Sequence, residues 1–208
     1  MAKCYIIAGG DFDGFADEIK NDDLLIAADK GYTYAKSLDI KPDIIIGDFD
    51  SSKRPDLKNV VKLNPIKDFT DTKAAIIEGI KRGYKDFVIY GALGGDRDSH
   101  TIANIRILLE YKKQGIDIKL KSNKKEVFII NDEYSYKFKD KEDDFYVSVF
   151  AMSDMVKGLS IKGLYYELED YDMDLSDNLG VSNESSGKDF SIKLKEGYLL
   201  IIIEKNRG

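Results

Sequence analysis

Two carboxylates, separated by one residue, stand in the stretch "DIIIGDFDSS", which covers residues 43 to 52 of this 208-residue chain. They are Asp48 and Asp50, and they follow a short apolar run of the kind that forms a strand buried on both faces. Acids this close together repel each other and do little to stabilise a fold. Their spacing therefore indicates a site with a positive partner.

Further polar clusters follow other apolar runs along the chain. Asp29 comes after "LLIAA", and His100 with its charged neighbours comes after "DFVIY". In a parallel sheet each strand-to-helix turn lies at the carboxyl edge, where such folds bind ligands. Four turns would thus bring polar groups to one crevice. These groups are Asp29, Asp48, Asp50, Lys67, Asp68, Thr70, Asp71, Arg97, Asp98 and His100.

The chemistry that suits such a crevice is phosphate chemistry supported by magnesium. Carboxylates are usual ligands of Mg²⁺, an ion that keeps several waters and is shared with a substrate's phosphates. Lys67 and Arg97 fit the same site as hydrogen-bond donors to phosphate oxygens. Each polar group taken singly could instead be an ordinary turn former or helix cap, as Asp71 and Ser99 illustrate. Several carboxylates at one edge, however, need a cation to offset their repulsion.

The elements that would position these groups alternate along the first 120 or so residues. Predicted strands cover residues 3–8, 24–28, 43–47, 60–63, 86–90 and 117–122, and predicted helices cover residues 31–38, 71–82 and 99–114. Thr70 or Asp71 is a candidate N-cap of the second helix. The predicted buried stripes are Ala74, Ala75, Ile77 and Ile80 in the second helix, and Ile102, Ile105, Leu108 and Leu109 in the third. This alternation is typical of a mostly parallel, doubly wound α/β sheet.

The pattern changes after residues 121–126. Six later segments alternate apolar and polar residues with period two, and Asn-Asp, Gly and Glu-Gly turns separate them. No clear helical pattern follows residue 125. We therefore predict an α/β domain over residues 1–123 and a small all-β sandwich over residues 124–208.

Composition narrows the class of protein. The net charge of -6, with no separate Lys/Arg cluster, argues against a nucleic-acid partner. The one cysteine, Cys4, excludes an intrachain disulfide and a Cys-based zinc site, and the lone His100 excludes a His-rich metal site. No run approaches the roughly 20 apolar residues of a membrane span, so we expect a soluble, cytoplasmic protein without a membrane partner. P-loop and G-x-S-x-G motifs are absent from the sequence.

Four motifs together resemble those of the thiamine pyrophosphokinase family. They are "AADKG", "GDFDSS", "NPIKDFTDTKAA" and "GGDRDSHTIAN", and "GLYYEL" (163–168) and "GVSNE" (180–184) are similar to the family's C-terminal elements. The resemblance implies a Rossmann-like α/β catalytic domain followed by a thiamine-binding β-sandwich. It also implies a homodimer with thiamine at the subunit interface. The implied reaction moves the pyrophosphoryl group of ATP to the hydroxyl of thiamine and releases AMP.

The resemblance also implies roles for particular residues. Mg²⁺ would be held by Asp71 and Asp98 with help from Asp48 or Asp50, and these four acids are the predicted catalytic residues. Asp71 or Asp98 would orient the thiamine hydroxyl or accept its proton. The residues predicted to bind the co-substrates are Asp29, Lys67, Asp68, Thr70, Arg97, His100, Ser182 and Asn183. Because the chain has no Trp, stacking on thiamine would come from Tyr or Phe, with Tyr165, Tyr166 and Tyr171 as candidates.

One turn departs from the family pattern. The family reads G-G-R-x-D-H followed by Asn, whereas "GGDRDSHTIAN" has an additional residue. Counting from Gly95 puts Asp98 at the acidic position, and counting back from Asn104 puts Ser99 there. We favour Asp98 because only it keeps a carboxylate.

Two other functions are compatible with parts of the pattern. "DFDSS" is similar to the nucleophile motif of Mg²⁺-dependent phosphatases of the haloacid dehalogenase type, although that motif normally follows the first strand of the sheet. A non-catalytic thiamine or nucleotide sensor could use the same scaffold, although binding alone would not require so many carboxylates. The released product separates the three functions: AMP for the kinase, inorganic phosphate for the phosphatase and neither for the sensor.

Overall fold

The computed structural model describes residues 2–47, 60–62, 70–94, 98–138 and 144–205. The chain divides into two compact units, residues 1–123 and residues 124–208. The first unit contains strands and helices in alternation, and strand pairing in it is parallel. The second unit contains strands that pair in antiparallel fashion. No described helix is long and apolar enough to cross a membrane.

The described residues of the first unit form six strands and three helices. The strands are β1 (Cys4–Ile7), β2 (Leu24–Ala28), β3 (Ile44–Gly47), β4 (Val60–Lys62), β5 (Asp86–Tyr90) and β6 (Asp117–Lys121), and the helices are α1 (Gly31–Ser37), α2 (Asp71–Lys81) and α3 (Asp98–Lys112). The strands lie in the order β6-β5-β1-β2-β3-β4. Each predicted strand and helix of this unit is confirmed to within two residues at either end.

Helices α1 and α2 pack on opposite faces of this sheet. Ala35 of α1 belongs to the apolar cluster of Tyr5 and Ile7. Gly79 of α2 packs over Cys4, so closely that an added Cβ would lie 2.9 Å from its Sγ. Because successive strand residues point to opposite faces, Cys4 and Tyr5 face different layers. The strands are therefore covered on both sides, which explains why β1, β2 and β3 consist of buried residues throughout.

Thr70 is confirmed as the N-cap of α2, because its Oγ1 accepts a hydrogen bond of 3.3 Å from the backbone N–H of Lys73. The predicted buried stripe of this helix is partly wrong. Its buried residues are Ala74, Ala75, Ile76 and Gly79, whereas Ile77 and Ile80 are half-buried. At Gly79 the helix lies so close to the sheet that an added Cβ would be 2.5 Å from the Phe87 ring.

The predicted buried stripe of α3 is wrong except at Leu108. Ile102 is 57% exposed, and Ile105 and Leu109 are only half-buried. The buried residues are Ile107, Leu108 and Tyr111. The reason is that α3 packs against β6, so the residues near its C-terminal end meet the sheet while its beginning borders a cleft.

The described strands of the second unit form a sandwich of two layers with four strands each. Its strands are β7 (Lys125–Ile130), β8 (Glu133–Tyr136), β9 (Phe145–Ala151), β10 (Met155–Lys162), β11 (Leu168–Asp174), β12 (Asn183–Glu184), β13 (Phe190–Lys193) and β14 (Leu199–Lys205). One sheet has the order β12-β9-β14-β7 and the other β11-β10-β13-β8. Side chains from both sheets, such as Val149 and Ile192, form one buried apolar cluster. The predictions did not include β11 and β12, and no helix occurs among the described residues of this unit.

Candidate active site

A cleft of about 540 Å³ opens in the first unit at the carboxyl ends of its strands. It is lined by the turns after β1, β2 and β5, by the first residues of α2 and by the first turns of α3. This edge is where parallel α/β sheets bind ligands, because the strand-to-helix turns and the helix N-termini meet there. The volume lies within the range of about 300–1,000 Å³ that is typical of small-molecule sites.

Two glycine-containing turns form the floor of the cleft through direct backbone contacts. The N–H of Gly10, after β1, donates to the carbonyl of Gly91, after β5, at 2.8 Å. Gly91 has a φ of +68°, and an added Cβ there would lie 2.5 Å from the carbonyl oxygen of Ala8. Both the conformation and the space at this position require glycine. The floor therefore presents backbone rather than side chains.

Asp29 leaves the end of β2 in an unusual conformation. Its φ is 53°, in the left-handed region, and its N–H donates to the Ile46 carbonyl at 2.8 Å. A non-glycine residue in this region carries strain of roughly 1–2 kcal/mol, and strain of this kind concentrates at functional sites. The carboxylate lies over the turn after β1, because a Cβ on Gly9 would be 2.8 Å from Asp29 Oδ2. Asp29 is thus held at the cleft with its side chain exposed.

Two helices begin at this cleft. Thr70, Asp71 and Thr72 at the start of α2 line it, as do His100 and Asn104 of α3. The side-chain amide of Asn104 donates to the Ala92 carbonyl at 2.8 Å, which fixes α3 to the turn after β5. Helix N-termini carry partial positive charge and free N–H groups, so two of them at one cleft favour an anionic ligand such as phosphate.

The residues predicted from sequence fall into three groups. Asp29, Thr70, Asp71 and His100 line the one cleft. Asp98 is the first residue of α3 and is exposed beside the cleft, but it is not among the described residues that line it. The predictions at Asp48, Asp50, Lys67, Asp68 and Arg97 lie outside the described residues. Within the described ranges, no group of three or more Asp, Glu, His or Cys side chains could hold a metal ion.

A partly buried polar cluster fastens the long segment between β1 and β2 to β5 and β6. Tyr90 donates its hydroxyl hydrogen bond to Asp17 Oδ2 at 2.7 Å, and Lys121 Nζ donates to Asp17 Oδ1 at 2.6 Å. Burial raises the pKa of Asp17, but the hydrogen bonds from Lys121 and Tyr90 outweigh that effect and leave the pKa below its ordinary value. The pKa of Tyr90 is raised by burial and by its bond to Asp17.

Ser182 and Asn183 lie in the second unit and are held by backbone hydrogen bonds. The Asn183 amide donates to the Tyr166 carbonyl at 2.6 Å and accepts from the Tyr166 N–H at 2.9 Å. The Ser182 N–H donates to Ser148 Oγ at 2.9 Å. The buried Asn183 side chain therefore orients the segment that carries Tyr166.

The three candidate stacking tyrosines differ in their surroundings. Tyr165 and Tyr166 are 64% and 66% exposed, and their rings meet edge to face at 4.9 Å. Tyr171 instead packs against the sandwich core, and its hydroxyl donates to Asp177 at 2.9 Å. Only the first two rings are open to a ligand.

Several residues that line the cleft were not predicted from the sequence. They are Asp11, Lys30, Tyr34 and Thr72, together with the floor glycines. The run "GGDFDG" after the first strand was a usable signal for Asp11, because its turn lies at the same sheet edge. The local sequence does not identify Tyr34, since a tyrosine in a short amphipathic helix is usually a packing residue.

Comparison with known proteins gives matches over both units. The thiamin pyrophosphokinase catalytic domain matches residues 15–120, and the vitamin B1 binding domain of thiamin pyrophosphokinase matches residues 135–199. The thiamine pyrophosphokinase of Bacillus subtilis (strain 168) is 28% identical over 217 aligned residues, which cover 97% of this chain and 98% of the relative.

Solved structures agree with these matches. The crystal structure of thiamine pyrophosphokinase from Bacillus subtilis has a TM-score of 0.86 at 26% identity, covering 99% of this chain and 100% of that one. The fold is also that of thiamin pyrophosphokinase from Geobacillus thermodenitrificans, with a TM-score of 0.82 at 22% identity and 99% of each chain covered.

These matches decide among the functions that the sequence left open. They do not favour a phosphatase of the haloacid dehalogenase type or a non-catalytic sensor. The catalytic-domain match alone covers more than half of the chain, and it spans most of the elements that form the cleft. The chain belongs to the thiamin pyrophosphokinase family, an enzyme family whose substrates are ATP and thiamine.

Proposed function

We propose that the cleft of the first unit binds the triphosphate of ATP and that pyrophosphoryl transfer to thiamine takes place at its mouth. The observation that carries this proposal is the meeting of two helix N-termini and two glycine turns around one cleft. The helix ends attract the phosphate charge, and the glycine turns let phosphate oxygens approach the backbone. His100 and, from the sequence, Lys67 and Arg97 would add donors to the phosphates.

Magnesium is the metal that we propose for this site. The acids at the cleft offer carboxylate oxygens, which are the donors that Mg²⁺ prefers. We propose Asp71 and Asp98 as ligands, with Asp48 or Asp50 completing the set. When bound, the ion would neutralise the developing charge on the transferred phosphoryl oxygens.

The reaction needs alignment more than a covalent intermediate. The thiamine hydroxyl oxygen attacks the β-phosphorus, the bond from that phosphorus to the oxygen bridging the α-phosphorus breaks, and AMP leaves with this oxygen. We propose Asp71 as the group that orients the hydroxyl or accepts its proton, because Asp71 lines the cleft whereas Asp98 stands beside it. Proton transfer of this kind typically contributes about 10²–10⁴-fold in rate.

The second unit would supply the thiamine contacts. We propose that Tyr165 and Tyr166 offer exposed rings to thiamine and that Asn183 holds their segment in place through its two hydrogen bonds to Tyr166. Exposed apolar side chains nearby in the sequence, Leu175 and Leu179, support an interface between two copies of the chain. A homodimer with thiamine at the subunit interface is therefore part of the proposal.

The proposed domains correspond to the two units of the fold. Residues 1–123 form the catalytic domain and residues 124–208 the thiamine-binding domain. We also propose that the first domain is a Rossmann-like, doubly wound sheet. The parallel strand pairs and the packing of α1 and α2 on opposite faces support this assignment. A cytoplasmic location completes the proposal.

The test is a magnesium titration of thiamine diphosphate formation with two matched variants. Asp71→Asn removes the charge at the cleft and is expected to lower kcat by at least about 100-fold and to raise the Mg²⁺ concentration needed for half-maximal activity. Asp22→Asn, at an exposed position outside the cleft lining, should behave as the wild type. An Asp71→Asn variant with kcat within tenfold of the wild type would overturn the assignment.

A further inference from the structure

An aromatic pair borders the cleft. Tyr34 of α1 lines the cleft, and its ring stacks on Phe12 with centroids 5.0 Å apart and planes 10° apart. Phe12 in turn packs against the apolar cluster of Tyr5, Ile7 and Leu25. One face of the Tyr34 ring is thus covered by a supported partner, and Tyr34 itself is half-buried against the same apolar cluster while it lines the cleft.

We propose that Tyr34, backed by Phe12, provides the face on which the base of the nucleotide stacks. The inference rests on the proposed function, which puts the triphosphate at the starts of α2 and α3. A nucleotide with its phosphates there extends its base toward the remaining wall, where Tyr34 is the aromatic side chain among the described lining residues. Stacking of a base on an aromatic ring strengthens binding by about 5- to 150-fold and accepts any base, since each has a π-face.

Asp29 supports this orientation of the nucleotide. In Rossmann-type sheets an acidic residue about 20 residues beyond the glycine turn, at the end of the second strand, accepts hydrogen bonds from ribose hydroxyls. Asp29 has this relation to Gly9, lies at the end of β2 and lines the cleft. Tyr34 lies five positions further along the chain in α1. The order of groups along the cleft is therefore phosphate, ribose and base.

The first test compares kinetic constants of leucine variants. Tyr34→Leu is expected to raise the KM for ATP by about 5- to 20-fold, the lower part of the range for a lost stacking contact because leucine keeps some apolar contact. Tyr34→Phe should keep the wild-type KM, since the hydroxyl has no part in stacking. Tyr32→Leu, in the same helix but not among the described lining residues, is the matched control and should leave the KM unchanged.

Inhibition constants distinguish contacts to the base from contacts to the phosphates. Inorganic tripolyphosphate carries the phosphates without ribose or base, so Tyr34→Leu should leave its inhibition constant unchanged while AMP inhibits more weakly. Equal weakening of both inhibitors would overturn the inference, as would a KM for ATP within twofold of the wild type. A rise in the KM for thiamine alone would assign the ring to the other substrate and also overturn it.

A second measurement does not depend on activity. The chain contains no Trp, so Tyr34→Trp introduces a single indole at the cleft. ATP is expected to quench its fluorescence, tripolyphosphate is not, and Tyr32→Trp should respond to neither. Absence of quenching by saturating ATP would refute the inference. A wild-type protein that forms no thiamine diphosphate would refute the proposed function instead, so the two failures are distinguishable.

Discussion

Substitution of Gly31 by Ala tests whether the backbone packing at the cleft is as tight as the structure indicates. Gly31 begins α1 and is buried. A methyl group there would lie 1.8 Å from the carbonyl oxygen of Ile7, at the end of β1, whereas ordinary contacts begin near 3.4 Å. No side-chain rotation can relieve this contact because both partners are backbone. The two elements would have to separate by more than an ångström.

The expected change in the free energy of unfolding for Gly31→Ala has two opposing contributions. Ala is favoured over Gly by about 1 kcal/mol in a helix interior and by less at the first position of a helix, so helix propensity alone predicts a small stabilisation. Overpacking of a close-packed site costs about 1–3 kcal/mol, and a backbone contact belongs at the upper end. We therefore expect Gly31→Ala to lower the free energy of unfolding by about 2 kcal/mol.

Activity should fall as well, because the same shift moves the turn that carries Asp29 relative to the floor of the cleft. A displacement of about 1 Å can lower a rate by roughly 100-fold. The assay combines urea unfolding with kcat/KM for thiamine diphosphate formation.

The control for this prediction is Gly83→Ala. Gly83 has a φ of +91° and no atom within 4 Å of an added Cβ. Its substitution should cost stability through backbone strain, about 1–2 kcal/mol, without changing kcat/KM. If Gly31→Ala is as stable as the wild type and fully active, the close packing of α1 on β1 is refuted.

Three further predictions concern stability. The lowered pKa of Asp17 means that its stabilising contribution is present above the ordinary carboxyl pKa of 3.8 and is lost as the pH falls through its lower folded-state value. Between pH 7 and pH 2 the free energy of unfolding, measured with urea, should therefore fall less for Asp17→Asn than for the wild type. An equal fall in both proteins would contradict the bond to Lys121. Thr70→Ala should lower the free energy of unfolding by about 1 kcal/mol through loss of the α2 cap. Thr70→Ser keeps the capping hydroxyl and should keep the wild-type stability. Asn183→Ala should cost about 1–3 kcal/mol by leaving the backbone of Tyr166 unpaired, which thermal unfolding would detect, and a variant of unchanged stability would show that water replaces the amide.

The strands of the first unit could be predicted because a strand buried on both faces needs apolar residues at nearly every position, as in residues 43–47. Helix faces were harder to predict. Periodicity identifies an apolar stripe but not how much of the helix overlaps the sheet, and this is why Ile102 is exposed and Ile107 is buried. Strand β11, "LEDYDMD", was missed because its acids mask the alternation that marks a strand.

The candidate site likewise contains residues that could be predicted from the sequence and residues that could not. Groups that follow strands, such as Asp29 and Asp71, could be placed at one sheet edge by topology alone. Tyr34 could not, because its place at the cleft depends on where α1 packs. The role of Asn183 in orienting Tyr166 depends on two hydrogen bonds across 17 positions of the chain, which no local pattern encodes.

The proposed reaction transfers an intact pyrophosphoryl group from ATP to thiamine. The most direct measurement follows ATP labelled at its γ-phosphate during incubation with the protein, Mg²⁺ and thiamine. We expect the label to enter thiamine diphosphate and AMP to form in equal amount. Label recovered as inorganic phosphate or pyrophosphate, with no labelled thiamine diphosphate, would contradict the proposed reaction.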